Sequence, residues 1–309
     1  MTTINTRSRP HPLFAGCFTA VTTPFRSESG DLDLDRFREQ LAHQAAGAVS
    51  GVVVLGTTGE SPTLTATERR QMLEAAIAFG RANELLVIAG TGTNCTREAV
   101  AMQKEAADLG ADAGLSVNPY YNKPSQEGLY RHFMAVADAS DLPVVLYNIP
   151  GRTGVTLHPD TVARLAQHPN IVALKDATGS ALSVGEVAAR CGDVLTILSG
   201  DDALTLPFMA LGARGVVSVV SNIAPAEVRE MIDHALAGNF TAARRVHYAL
   251  LPMFQGLLTL DTNPIPVKTA MKLLGRDSGT MRLPLCEPTA EVHAAIRRIL
   301  EQCGLFGRC

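Results

Sequence analysis

Residues 143–176 read PVVLYNIPGRTGVTLHPDTVARLAQHPNIVALKD, and this stretch decides the fold class. It begins with an apolar run at 143–147, continues through a helical segment at 159–168, and ends in a second apolar run at 171–175. Both runs are almost continuously hydrophobic, as strands that are buried on both faces must be. A strand, a helix and another strand in this order predict a parallel β–α–β unit.

The same alternation extends over most of the chain. The predicted strands are 16–21, 51–55, 85–89, 113–117, 143–147, 171–175, 194–198 and 215–219. The helices predicted to follow them are 34–48, 67–81, 96–109, 126–139, 159–168, 182–191, 203–211 and 225–237. Eight strand–helix units in a row predict an α/β fold of the closed (β/α)8, or TIM-barrel, type. A doubly wound open sheet is the alternative, but such a sheet rarely needs eight evenly spaced units.

The two ends of the chain differ from this repeat. Residues 1–13 are polar and contain two prolines, so we predict a flexible N-terminal tail before a barrel at 14–238. Strand signals stop after Gly238, and helices are predicted at 240–260, 266–274 and 289–302. They form a C-terminal helical region at 239–309, appended to the barrel without a Ser/Gly/Pro-rich linker.

Composition narrows the function classes. The chain has 46% hydrophobic and 18% charged residues, a net charge of −3 and no basic run, so we predict neither a nucleic-acid partner nor a membrane partner. The cysteines lack zinc-type spacing and follow no signal sequence, so we predict reduced thiols, no metal site and a cytoplasmic location. They are Cys17, Cys95, Cys191, Cys286, Cys303 and Cys309.

One lysine ends a predicted strand. In α/β barrels the active site lies at the carboxyl ends of the strands, and Lys175 directly follows the apolar residues 171–174. Burial at such a position favours the neutral amine, which is the form that makes imines with carbonyl substrates. The alternative is a strand-end lysine whose amine extends to solvent.

Other strand ends carry polar groups that suit the same chemistry. A phenol at the end of the neighbouring strand, Tyr147, is suited to relaying protons, although a core tyrosine with a bonded hydroxyl is the alternative. Thr57 and Thr58 follow a strand and are suited to holding a carboxylate, or else they form a plain turn and helix cap. Arg152 is suited to a bidentate clamp on a second carboxylate, or else it is a solvated surface arginine.

These residues lie within longer motifs, which are GTTGES at 56–61, NPYYNKPSQEGLYRHF at 118–133, YNIPGRTG at 147–154, LKDATG at 174–179, SGDD at 199–202 and NPIPVK at 263–268. With these motifs the chain resembles the 4-hydroxy-tetrahydrodipicolinate synthase (dihydrodipicolinate synthase) family of pyruvate-dependent class I aldolases and lyases. The resemblance covers residues 14–305. It departs from the common family pattern at Gly151, often Ser or Ala, and at Asp176, often Glu.

The resemblance implies a set of catalytic roles. Lys175 matches the lysine that forms a Schiff base. Tyr147 matches the central tyrosine of a proton relay, and Thr58 matches the threonine that links it to a second tyrosine. Tyr121 matches that second tyrosine, which in the family reaches into the site of the neighbouring subunit. The resemblance therefore also implies a homo-oligomer, a homotetramer built as a dimer of dimers.

The resemblance also implies substrates and the groups that bind them. The reaction is the condensation of pyruvate with L-aspartate 4-semialdehyde, on the route to diaminopimelate and lysine. Thr57 and Thr58 match the groups that bind the pyruvate carboxylate, and Arg152 matches the arginine that binds the semialdehyde carboxylate. Gly200 and Val217 match positions that line the site. No metal and no organic cofactor are implied, because the lysine supplies the electron sink.

A lysine-feedback site is the last implied feature. In inhibited family members lysine binds near the active-site entrance at the dimer interface, and Ser61, Asn94, Glu98 and Tyr120 match favourable positions. Ala66 and Arg69 stand where strongly inhibited relatives carry histidines. Losing one or two hydrogen bonds to a charged ligand costs about 1.5–3 kcal/mol each, so we expect weak or absent inhibition.

Two other functions compete with this reading. A sister activity on the same fold, such as that of N-acetylneuraminate lyase or a keto-deoxy sugar acid aldolase, shares the lysine and the first tyrosine. Those enzymes usually lack matches to Arg152 and to the tyrosine pair, so both features favour the synthase. A non-catalytic sensor is the second alternative, and an intact set of Lys175, Tyr147, Thr58 and Tyr121 argues against it.

Overall fold

The computed structural model describes residues 14–306, and the predicted tail at 1–13 lies outside the described residues. Eight parallel strands follow one another around a closed barrel in sequence order, so the prediction of a TIM barrel is confirmed. The strands are β1 (Gly16–Ala20), β2 (Gly51–Val54), β3 (Leu86–Gly90), β4 (Ala113–Val117), β5 (Val144–Asn148), β6 (Ile171–Asp176), β7 (Thr196–Ser199) and β8 (Gly215–Ser218).

The helices within residues 14–306 are α1 (Leu34–Ala46), α2 (Ala66–Asn83), α3 (Thr96–Leu109), α4 (Gln126–Ala137), α5 (Pro150–Thr153), α6 (Pro159–Leu165), α7 (Ala181–Cys191), α8 (Thr205–Ala210), α9 (Pro225–Leu236), α10 (Phe240–Thr259), α11 (Ile265–Leu273) and α12 (Ala290–Gln302). All predicted helices are present, with ends that shift by a few residues. The additional helix α5 has a single turn, which is too short to give a periodic pattern. Within the described part of the chain, none of the helices combines the length and the apolarity needed to cross a membrane.

Local sequence explains where the helices begin and end. Helix α2 begins one residue before its predicted start because Thr65 and Glu68 form a capping box. The Thr65 hydroxyl accepts a hydrogen bond from the Glu68 N–H at 3.2 Å, and the Glu68 carboxylate accepts one from the Thr65 N–H at 2.9 Å. Helix α3 ends at Gly110, whose φ of 88° is readily adopted only by glycine.

Two compact units make up the described chain, and each has its own set of site residues. One unit comprises residues 14–15 and 91–215 and contains β4–β7 with α3–α8. In it, β5 and β6 pair so that Tyr147 lies opposite Lys175. The other unit comprises residues 16–90 and 216–306, with β1–β3, β8 and the remaining helices. The C-terminal helices belong to this second unit, where α10 packs against α9 and α12.

A buried ion pair lies inside the second unit. The Lys268 ammonium on α11 lies 2.6 Å from a carboxylate oxygen of Glu60, and both side chains are 0% exposed. The ammonium also donates to the Thr23 carbonyl at 2.8 Å and lies 4.6 Å from the centre of the Phe25 ring. Removing one member of such a pair leaves a buried charge without its counter-ion, which typically costs about 3–5 kcal/mol.

We therefore expect Lys268→Met to lower the free energy of unfolding by about 3–5 kcal/mol, measured by urea titration. The matched control is Lys272→Met on the same helix, because Lys272 pairs with Glu287 at 3.3 Å with both side chains at least half exposed. The control should change stability by at most about 1 kcal/mol. Equal losses in the two variants would contradict the importance of the buried pair.

Candidate active site

Lys175 and Tyr147 lie side by side at the ends of β6 and β5. The Lys175 ammonium nitrogen is 4.1 Å from the centre of the Tyr147 ring. Lys175 is only 7% exposed, so the alternative of a lysine extending to solvent is wrong. An amine and a phenol held together in a largely buried position are the groups that an imine-forming reaction with proton transfer requires.

Space beside the lysine depends on Gly200, which follows β7. A β-carbon at this position would come 3.1 Å from Lys175 Cε and 2.8 Å from Ala177 Cβ. The Gly200 N–H donates to the Asp176 carbonyl at 2.7 Å, which fixes the close approach of the two strand ends. The SGDD motif therefore places a glycine, which has no side chain, where a larger residue would crowd the Lys175 side chain.

Asp176 lies next to Lys175 in sequence but on the opposite face of β6, because successive strand residues point to opposite sides. One of its carboxylate oxygens accepts hydrogen bonds from the Thr178 N–H at 3.0 Å and from the Thr178 hydroxyl at 2.6 Å. Burial raises the pKa of this carboxyl above its usual range. The two hydrogen bonds that it accepts therefore hold the start of the loop after β6 in place.

Arg152 is exposed on α5, in a loop that returns to the barrel at Leu157. Asn148 fastens this loop, since its side chain accepts from the Leu157 N–H at 3.0 Å and donates to the Leu157 carbonyl at 2.9 Å. Asn118 donates to the Asn148 side-chain oxygen at 3.0 Å. Sequence reasoning assigned no role to either asparagine, although Asn148 ends β5 and Asn118 follows β4 within the long motifs.

Tyr121 is unusual in backbone and in exposure. Its φ is 71°, in the left-handed region, and its side chain is 89% exposed in the single chain. A non-glycine residue in this region is strained and keeps the conformation only where its surroundings determine it. The neighbouring Tyr120 carbonyl accepts from the Asn94 side chain at 3.2 Å, so two of the predicted lysine-site residues lie together. Glu98 is exposed in the first turn of α3.

In the second unit, Thr57 and Thr58 form a short 3-10 turn after β2. Neither is a helix cap, since Thr65 caps α2. Thr57 is partly buried and Thr58 is 3% exposed, and the Thr58 hydroxyl accepts from the Asn263 side-chain amide at 2.9 Å. Val217 is buried within β8. Sequence reasoning missed the link to Asn263, which is more than 200 residues away in the chain.

Arg69 is held by its own chain. One terminal nitrogen of its guanidinium donates to the Ser61 hydroxyl, and the other terminal nitrogen donates to the Gly90 carbonyl at 3.0 Å. Ala66 is exposed as the first residue of α2. The arginine that stands in place of a histidine therefore already binds one of the side chains predicted to hold the ligand.

The fold is that of a (β/α)8-barrel enzyme whose sixth strand carries a buried lysine near its carboxyl end. Residues 13–303 match the dihydrodipicolinate synthetase family. The chain belongs to this family, and the family assignment made from the motifs is confirmed.

Individual relatives agree with this assignment. The chain is 51% identical over 274 residues to the 4-hydroxy-tetrahydrodipicolinate synthase of Geotalea daltonii, covering 88% of this chain and 93% of that protein. It superposes with a TM-score of 0.91 on the dihydrodipicolinate synthase from Aquifex aeolicus, at 45% identity over 94% of this chain and 99% of the other. The enzyme from Cyanidioschyzon merolae with lysine bound gives a TM-score of 0.92 at 40% identity, over 95% and 99% of the two chains.

Proposed function

We propose that this chain condenses pyruvate with L-aspartate 4-semialdehyde, and that Lys175 carries the reaction as a Schiff base. The observation that carries the proposal is the position of Lys175, buried at the end of β6 and 4.1 Å from the Tyr147 ring centre. Burial removes water that competes for the carbonyl, and the adjacent phenol supplies a group for proton transfer. Family membership supports the same synthase activity.

The reaction runs in four steps. The Lys175 amine adds to the pyruvate carbonyl and water leaves, which gives an imine. A proton then leaves the pyruvate methyl group, and the resulting enamine attacks the aldehyde carbon of the second substrate. Finally the amino group of that substrate displaces the lysine as the ring closes. Tyr147 relays the protons that the first step and the last step move.

Each substrate has one carboxylate to be held beside the reacting carbons. We assign the pyruvate carboxylate to Thr57 and Thr58, because the buried Thr58 hydroxyl is held in one position by Asn263. We assign the semialdehyde carboxylate to Arg152, whose guanidinium suits a bidentate contact and whose loop is fastened by Asn148. Gly200 and Val217 line the site.

The proposed relay runs from Tyr147 through Thr58 to Tyr121 of a partner subunit. An aromatic side chain that is 89% exposed on a left-handed residue is suited to insertion into another molecule. We therefore propose a homo-oligomer, assembled as a dimer of dimers. We also propose a cytoplasmic location, which fits the scattered spacing of the cysteines along the sequence.

The first prediction of this mechanism is that pyruvate with borohydride adds one irreversible adduct per chain, at Lys175, because borohydride reduces the imine. Lys175→Ala should abolish the adduct, and intact-mass measurement with peptide mapping reads it. The control is Lys104→Ala, which removes an exposed lysine on α3 and should leave the adduct unchanged. An adduct on any other lysine would disprove the mechanism.

The second prediction is that Arg152→Ala raises the KM for aspartate semialdehyde by about thirtyfold or more and changes pyruvate trapping little. A charge-assisted contact of this kind is worth about 2–5 kcal/mol. Arg164→Ala is the control, because Arg164 forms an exposed pair with Glu127 at 3.2 Å. Equal losses for both substrates would mean that Arg152 supports the whole site instead.

The third prediction is that the activity requires at least a dimer. Specific activity should fall on dilution in step with dissociation measured by mass photometry, and Tyr121→Ala should lower kcat without preventing assembly. Tyr248→Ala, at an exposed tyrosine on α10, should do neither. A fully active monomer is the result that rejects the shared relay.

The fourth prediction concerns feedback. We expect half-inhibition by L-lysine only above roughly 1 mM, because Arg69 already binds Ser61 and adds a positive charge. Arg69→His should strengthen inhibition by about ten- to a hundredfold. The neighbouring Arg70→His is the control, since Arg70 pairs with Glu74 on the exposed face of α2. Sub-millimolar inhibition of the unaltered enzyme would show that Arg69 is tolerated in the pocket.

A further inference from the structure

No residue of the NPIPVK segment at 263–268 takes part in a reaction step of the proposed mechanism, yet two of its side chains contact the turn after β2. Asn263 donates to the Thr58 hydroxyl at 2.9 Å, and Lys268 pairs with Glu60 at 2.6 Å. The partners lie more than 200 residues apart in sequence. Both contacts therefore join the same short segment to the same short turn.

The backbone of the turn needs an anchor. Residues Thr57–Gly59 form a 3-10 turn, and Glu60 follows in the left-handed region with φ of 51°. A non-glycine residue holds this conformation only where its surroundings determine it. Both Glu60 carboxylate oxygens are engaged, one by Lys268 and the other by the Arg282 backbone N–H at 3.1 Å. Both oxygens of this carboxylate are therefore bound at fixed positions beside the turn.

The Thr58 side chain needs an orientation as well as a position. A hydroxyl has one hydrogen to donate and two lone pairs that accept. The Asn263 amide donates to the oxygen, so the hydroxyl hydrogen is directed to another acceptor. Thr58 is almost completely buried, and the β-branched side chain has few rotamers, so a single donor sets the geometry.

We propose that Asn263 and Lys268 are positioning residues, which hold the Thr57–Thr58 turn in the geometry that captures the pyruvate carboxylate. Asn263 orients the Thr58 hydroxyl, and Lys268 fixes the backbone of the turn through Glu60. This inference rests on the carboxylate role proposed above for Thr58.

A double-mutant cycle tests the Asn263 half. Asn263→Ala, Thr58→Val and the double variant are compared by kcat/KM for pyruvate and by the rate of borohydride trapping at Lys175. Each single variant should lower kcat/KM by about five- to tenfold, and the double variant should lose no more than Thr58→Val alone. Asn263→Asp fills the same space but cannot donate a hydrogen bond when ionised. It should therefore lower kcat/KM for pyruvate at least as much as Asn263→Ala does.

The stability control for the cycle is Asn239→Ala. Asn239 caps α10 through a 3.1 Å hydrogen bond from the Ala242 N–H and is exposed. Its loss should lower the melting temperature without changing kcat/KM. Independent losses at Asn263 and Thr58 would overturn the inference while leaving the role of Thr58 intact. Unchanged pyruvate capture in Thr58→Val would instead reject the carboxylate role, and the inference with it.

The Lys268 half is tested by separating stability from kinetics. Lys268→Met leaves the buried Glu60 carboxylate without its counter-ion. Combining it with Glu60→Gln removes that charge, so the buried site is neutral again. The double variant should recover most of the lost melting temperature, yet its KM for pyruvate should remain raised about fivefold or more, because no ion pair locates the turn. Recovery of KM together with the melting temperature would show that the pair is only structural and would overturn this half.

Discussion

Strands of a closed parallel barrel are covered on both faces, and this constraint orders the rest of the molecule. Side chains along such strands have to be apolar, as the burial of every residue of β5 and β6 illustrates. In β5 and β6 the polar groups accordingly lie near the carboxyl ends, where Tyr147, Asn148 and Lys175 stand. The same constraint makes each of them dependent on a local partner, because a polar group that leaves water needs one. Burial of both strand faces thus determines where the reactive groups lie and also which partners they need.

The buried polar groups are consequently satisfied by contacts that are distant in sequence. Asn148 binds Leu157 across the loop that carries Arg152, and Lys268 binds Glu60 across the second unit. Each contact favours one conformation of the loop that it joins, because breaking it leaves a buried polar group without a hydrogen-bond partner. Loops built this way position side chains without relying on long elements of regular structure. The short α5 and the 3-10 turn at Thr57–Gly59 are both held in this manner.

The sequence predicted the elements well and the contacts between them poorly. Strand and helix periods are local properties, so all eight strands and the longer helices could be read directly, and the motifs identified the family. The single-turn α5 was missed because four residues carry no period. The partners of Thr58 and Glu60 were missed because hydrogen bonds over more than 200 residues leave no local pattern. Arg69 was foreseen as a departure from a histidine, but its bond to Ser61 depends on the path of the turn before α2.

Two left-handed residues show how strain is handled near the proposed site. Glu60 and Tyr121 have φ values of 51° and 71°, and such a backbone costs of the order of 1–2 kcal/mol for a residue with a side chain. At Glu60 the compensation lies within the chain, because both carboxylate oxygens are bound and the side chain is buried. At Tyr121 the ring is almost fully exposed, so the single chain buries little of it in return. A strained residue that projects an aromatic ring into solvent gains most when a second surface covers that ring, since burying it removes apolar area from water. The backbone at Tyr121 therefore favours the proposed assembly on physical grounds that are independent of the family resemblance.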